Sequence, residues 1–264
     1  MTPSTDRDFL ALQLADMAPH RALLRAVECR FMSSFPLVHP VLDIGCGDGH
    51  FASIAYQDPI EAGLDPMARD LKEAATRRPD VYLDVLQGNA TELPFADASF
   101  ATVVSNCVIE HIPDVDKTLS EISRVLRPGG VFATTLPSEH YPDFLLGSTV
   151  LRRIGLDRPA SAYGDCFNRI SYHYHIDPPE VWRKRLDLAG LTMTDHTYYF
   201  SRGAHHAFDL AHYLGLPNLV TKRTLGRWVV HPAQMKPFEW WYRRYYDEPL
   251  PEQGAYQFVK CEKR

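Results

Sequence analysis

Positive charge is in short supply in this chain: 28 Lys and Arg face 33 Asp and Glu, giving a formal net charge of -5. No long basic run occurs. Nucleic-acid binding draws mainly on clustered Lys and Arg, so a nucleic-acid partner is not expected. Long apolar runs are missing as well. A spanning helix needs about 18 or more consecutive apolar residues, so stable membrane insertion is not expected. The opening "MTPSTDRDFL" lacks the basic start and apolar core of a signal peptide, and the expected location is the cytoplasm. Cysteine is sparse: Cys29, Cys46, Cys107, Cys166 and Cys261 are odd in number, scattered and without CxxC spacing, which reads as reduced thiols and no disulfide framework. No internal repeat is visible.

What is present suits a soluble globular chain. Its 264 residues are 45% hydrophobic and 23% charged, enough for one sizeable core with an appended lid. Apolar and amphipathic segments alternate as in a parallel sheet covered by helices. "HPVLDIG", "IEAGLD", "YLDVLQGNA", "SFATVVSN" and "GGVFATTLP" read as strands. "GHFASIAYQ" and "MARDLKEAATRR" read as helices, as does "DVDKTLSEISRVL", whose Val115, Leu119, Ile122, Val125 and Leu126 share one face. "PPEVWRKRLDLAG" adds a helix ending near Gly190, and "LTMTDHTYYF" and "GAYQFVKC" add two strands. Residues 6–35 read as one or two helices before the core. The stretches 138–177 and 201–253 read as irregular, rich in His, Tyr, Trp and Pro. The expected organisation is a single domain: an N-terminal helical cap (1–37), a cofactor-binding core (38–137), two substrate or lid insertions (138–177 and 201–253), and the rest of the core (178–200 and 254–264).

Three glycines fall within five residues directly after the first strand, in "VLDIGCGDGHFA". A glycine turn between a first strand and a helix lets a nucleotide-like ligand lie against bare backbone. Asp65, ending the second strand, sits where a carboxylate can accept from ribose hydroxyls. The spacing of Gly45, Gly47 and Gly49 is G-x-G-x-G, whereas the dinucleotide fingerprint needs G-x-G-x-x-G; position 50 is His.

From Pro40 to Ser138, "VLDIGCGDGHFA", "GLDP" and "GNATELPFADASFATVVSNCVIEHIPDVDKTLSEISRVLRPGGVFATTLPS" resemble, in order and at normal spacing, the motifs of the class I S-adenosylmethionine-dependent methyltransferases, in particular the broad small-molecule group. The resemblance implies an α/β, Rossmann-like, doubly wound sheet of seven strands in the order 3-2-1-4-5-7-6 with an antiparallel last strand. It implies S-adenosylmethionine as cofactor. Asp43 and the loop Gly45, Cys46, Gly47 and Gly49 would hold the methionine portion, the acid acting through water on its ammonium. Asp65 would bind the ribose, and Pro66 and Met67 would flank the adenine. Asn89 and Ala90 would read the adenine edge, with Asn where many relatives carry Asp. Asn106 would lie beneath the sulfonium.

Methyl transfer from a sulfonium mainly needs alignment and exclusion of water, with a base when the nucleophile is protonated. Candidate bases are His111, after the fourth strand beside Glu110, then His140 and Tyr141 in "SEHYPDF", and His173 and His175 in "YHYH". An extended "YHYH" would put both imidazoles on one face. No accepted metal-ligand spacing joins them to Asp165, Cys166, His205 or His206, so no metal is expected. The aromatic segment His231–Pro249 reads as a helix whose aromatic face forms a lid, with an oligomer contact, such as a homodimer's, or a membrane-surface patch as alternatives. The expected acceptor is a small molecule of aromatic or lipid-like bulk, with O-methylation favoured and C-methylation second. A silent cofactor-binding protein is the alternative of another class, and a nicotinamide-dependent oxidoreductase fits least.

Overall fold

In the computed structural model, which describes residues 7–226 and 228–264, the elements follow in this order. Helices α1 (Phe9–Asp16) and α2 (Pro19–Met32) come first, then β1 (Val41–Ile44), α3 (His50–Ala55) and β2 (Ile60–Asp65). They are followed by α4 (Ala68–Arg77), β3 (Tyr82–Gln87), β4 (Phe100–Asn106), α5 (Val115–Val125) and β5 (Leu126–Pro137). Next stand α6 (Tyr141–Phe144), α7 (Leu146–Arg153), α8 (Asp157–Ile170), α9 (Pro179–Leu188) and β6 (Leu191–Tyr199). The chain closes with α10 (Arg202–Leu214), α11 (Leu216–Leu225), α12 (Lys236–Tyr246) and β7 (Tyr256–Lys263). The first six residues of the expected N-terminal cap lie outside the described residues, as does position 227 of the second insertion.

The strands form one mixed sheet ordered β3-β2-β1-β4-β5-β7-β6. Parallel pairing sets Asp43 beside Gly63 and Val104, and Ile44 beside Leu64 and Ser105, so β1, β2 and β4 end at one edge. Ligands of doubly wound sheets collect at such carboxyl ends. Two compact units share the chain. The sheet unit comprises Phe35–Glu139, Tyr172–Thr197 and Gln257–Arg264; the helical unit takes the segments up to Ser34, His140–Ser171 and Tyr198–Tyr256.

In the sheet unit, Leu42, Ile44, Val103, Phe132 and Leu136 of the strands pack against Leu119 and Ile122 of α5 and Trp182 and Leu186 of α9, all essentially out of solvent. Amphipathic spacing puts Leu119, Ile122 and Val125 on one face of α5, and the Asp114 side chain caps its start by accepting from Lys117 N.

The two stretches read as irregular prove largely helical: 138–177 contains α6, α7 and α8, and 201–253 contains α10 and α11 besides α12, which falls in the His231–Pro249 segment where a helix is expected. Their breakers are misleading for physical reasons. Pro159 and Pro237 lie in the first turns of α8 and α12, where a missing N–H costs nothing. Gly164, inside α8, leaves room for α6: a Cβ there would stand 2.7 Å from Pro142 Cβ. Within the helical unit, α12 packs against α1, α2 and α10, with Tyr242 and Tyr246 buried. Among the described residues no helix is long and apolar enough to cross a membrane.

Candidate functional site

The glycine turn after β1 is left-handed at Gly45, Gly47 and Gly49, with φ of +76°, +54° and +75°. The three glycines answer to different demands. A Cβ on Gly45 would collide with Val108, standing 2.9 Å from its Cβ, so this bare backbone admits the segment leaving β4. A Cβ on Gly49 would press on the Tyr82 ring at 3.2 Å. A Cβ on Gly47 meets nothing within 4 Å, so the space against this residue is open. Of the three glycines, Gly47 keeps free the space that a ligand would fill.

Two carboxylates border that turn. Asp65 Oδ2 accepts from Gly47 N at 3.0 Å and its Oδ1 from Met67 N at 2.8 Å, which ties the end of β2 to the loop. Asp43 accepts from the Tyr82 hydroxyl at 2.6 Å. Tyr82 begins β3 and reaches its partner in β1 across β2, where a Cβ on Gly63 would lie 3.1 Å from its ring. Burial raises the Asp43 carboxyl to about 6; the Tyr82 hydrogen bond opposes the rise and the charge of Asp65 adds to it. Among the described residues no Lys or Arg forms an ion pair with Asp43 or Asp65. Two neighbouring acids without a countercharge, beside open backbone, form a donor set suited to a cationic group and to hydroxyls, and S-adenosylmethionine supplies both.

Past β2, Pro66 and Met67 are exposed, Met67 at 57%. Ala90 is buried, and Asn89 Oδ1 accepts from Thr91 N at 3.0 Å, which turns the chain out of β3. A carboxamide oxygen has a second lone pair. Cys46 is buried beneath the loop, where it abuts the position of a Gly63 Cβ. At the end of β4, Asn106 Oδ1 accepts from Thr135 Oγ1 at 2.8 Å, and Cys107, left-handed at φ +51°, donates its N–H to Thr135 O. Side chains rarely adopt that conformation, which costs on the order of 1–3 kcal/mol and often marks functional loops.

Beyond Cys107 stands a histidine pair. The rings of His111 and His173 stack at 5.3 Å with an interplanar angle of 28°. His111 Nδ1 lies 3.2 Å from Tyr172 O, so it is the donor there, and its Nε2 lies 3.6 Å from Oε1 of buried Glu110. Burial first, and His111 second, push His173 down to about 4. Glu110, His111 and His173 bring one ligand atom each within 4.8 Å of one another, although no sequence spacing suggests it.

The "YHYH" segment is not extended. Tyr172 is left-handed at φ +55°, and the two histidines take different partners. His175 Nε2 lies 3.1 and 3.2 Å from the carbonyl oxygens of Ile112 and Pro113, so it donates to them, while the backbone N–H of His175 and Tyr174 meets Glu110 O. That geometry makes His175 a clip on the segment after β4 rather than a base. The remaining candidates belong to the helical unit. Tyr141 is 2% exposed and packs edge-on against His205 and Tyr256. His140 stacks on Phe144 at 5.3 Å. Sequence reasoning missed Tyr82 and Thr135, which hold Asp43 and Asn106; an aromatic starting an edge strand carries no signal beyond strand propensity.

Residues 42–134 match the family described as Methyltransferase domain. The chain is 43% identical over 99 residues to a probable S-adenosylmethionine-dependent methyltransferase of Mycolicibacterium smegmatis, covering 37% of this chain and 38% of that protein. It is 35% identical over 155 residues to the demethylmenaquinone methyltransferase of Renibacterium salmoninarum, covering 56% and 62%. The aligned regions thus span less than two thirds of either relative. In fold, it is similar to a SAM-dependent methyltransferase, possible histamine N-methyltransferase, of Thermotoga maritima, with a TM-score of 0.56, 19% identity and coverage of 93% of this chain and 91% of that one. Through residues 42–134 the chain is similar to the methyltransferase-domain family, and the seven-stranded sheet built around them has the fold of the Thermotoga maritima protein.

Proposed function

We propose that the protein transfers the methyl group of S-adenosylmethionine to an oxygen of a small acceptor with aromatic or lipid-like bulk. The observation that carries this reading is the pair Asp43 and Asp65, without a Lys or Arg ion-pair partner among the described residues and set against the open backbone of Gly47. When bound, the cofactor supplies an activated methyl on a positively charged sulfur. Asp43 would hold its ammonium through water and Asp65 its ribose hydroxyls. Cys46, Gly45 and Gly49 shape the turn, Pro66, Met67, Asn89 and Ala90 would enclose the adenine, and Asn106, fixed by Thr135, would lie under the sulfonium.

For the base we favour His173. It is neutral at pH 7, and His111, aligned by the Tyr172 carbonyl and Glu110, fixes the ring against which His173 stacks. The acceptor class rests on the helical unit, where large apolar side chains such as Ile154, Ile170, Tyr213, Leu214 and Trp240 stay exposed. The name of the demethylmenaquinone methyltransferase relative agrees with it.

Thermal melting with about 1 mM S-adenosylmethionine, S-adenosylhomocysteine or NADH tests the cofactor, since a micromolar ligand at that excess adds about 4 kcal/mol, a shift of several degrees. Both adenosyl compounds should shift the transition and NADH should not. Homocysteine release then scores acceptors, and His173→Ala should cut turnover about a hundredfold where the acceptor is a hydroxyl. A loss below about tenfold removes His173 as the base.

A further inference from the structure

The helical unit contains a cavity of about 350 Å³ bounded by His140, Asp143, Phe144, Thr149, Arg152, Arg153, Arg202 and Gln253. Its charge is at odds with that of the chain: three guanidiniums face a single carboxylate in a protein of net charge -5. Asp143 is committed to Arg152 at 2.5 Å. Among the described residues Arg153 and Arg202 have no carboxylate within ion-pair distance. Arg202 lies over the Phe144 ring, 4.4 Å from its centroid, and a guanidinium braced on an aromatic face keeps its donor edge directed outward with little entropy left to lose. Arg202 is also the first residue of α10, whose amino end adds a partial positive charge. Both guanidiniums act on one place. His206, hydrogen-bonded to Thr149 of the cavity wall at 3.1 Å, is held below its ordinary range by burial first and then by the charges of Arg202 and Arg153.

An excess of two positive charges, offered by planar forks from two helices, matches a doubly charged tetrahedral oxyanion better than a singly charged planar one. We propose that this cavity binds the phosphomonoester group of a small molecule, with Arg153 and Arg202 as its principal ligands and the Phe144 face beside the attached body. This site is independent of the methyl-transfer reading and holds whatever the acceptor is.

The test is calorimetric titration of the full chain with phenyl phosphate, and in parallel with methyl phenyl phosphate, which has one charge fewer, and with benzoate. Phenyl phosphate should bind, the two monoanions at least about tenfold more weakly. Arg153→Gln and Arg202→Gln should each weaken phenyl phosphate by about tenfold or more. Asp143→Asn, which releases Arg152, should tighten it severalfold, and this variant removes no ligand if the arginine variants fail to fold. No binding of phenyl phosphate at millimolar concentration, equal binding of benzoate, or affinity unchanged in folded Arg153→Gln and Arg202→Gln chains would each overturn the site.

Discussion

Within one turn of five residues, Gly45 and Gly47 separate stability from binding. Alanine at Gly45 combines a left-handed backbone with a collision against Val108, and should cost about 2–4 kcal/mol in urea unfolding. Val108→Ala in the same chain should restore part of it. Alanine at Gly47 has only the backbone strain to bear, about 1–2 kcal/mol, yet valine there should abolish cofactor binding because the side chain enters the open space. If both substitutions leave S-adenosylmethionine affinity intact, the cofactor lies elsewhere. Asp43 sets a pH dependence with a definite sign. Its carboxyl titrates near 6 in the unliganded chain, and a bound cation lowers that value. Affinity should be full above about pH 6 and fall as pH drops through it, by up to about tenfold per unit; Asp43→Asn should flatten the curve. For the unliganded fold the sign reverses: the raised carboxyl costs stability progressively as pH rises from about 4 to about 6, and by a constant amount above that. His173, lowered to about 4, should leave kcat level over the same interval.

Between elements, the loop leaving Asn89 is fastened to α5 by two side chains. Arg124 donates to Leu93 O and Phe95 O at 3.0 and 2.8 Å and pairs with Glu121 and Asp97; Glu121 accepts from Leu93 N at 2.7 Å. Arg124→Met should cost about 1–3 kcal/mol and raise amide exchange at Leu93, and unaltered protection there would show that the loop needs no clip. The elements from β1 to β5 were legible because their cues are local: Asp114 before an apolar stripe, alternating or continuous apolar runs, glycines at strand exits. The fold order was legible through family resemblance, and the same resemblance proposes Asp43, Asp65 and Asn106, which the structure places at strand ends. The helices of 138–177 and the helices α10 and α11 were not; in 138–177, Pro159 and Gly164 read as breakers until their neighbours are known, and propensity yields to packing such as that of Gly164 against Pro142. The cavity arginines were equally hidden, since Arg152 and Arg202 are distant in sequence and only the helix arrangement brings them together.

At the scale of the molecule, both units are assembled from discontinuous segments, so no single cut isolates either. The final strand shows the dependence most directly. β7 lies between β5 and β6 and buries Phe258, Val259 and Cys261. Deleting residues 254–264 should open two strand edges inside the sheet and abolish cooperative melting; a truncated chain with a sharp transition would show that the sheet closes without β7. The opposite margin has a different liability. β3 is the outermost strand, yet its first side chain, Tyr82, holds Asp43 two strands inward. Edges open more readily than centres, so each transient release of that margin lets go of the acid proposed to receive the cofactor's charge. The sheet border thereby becomes a thermal gate on a central group: S-adenosylmethionine should slow hydrogen exchange in β3, which it need not touch, and Tyr82→Phe should uncouple the two.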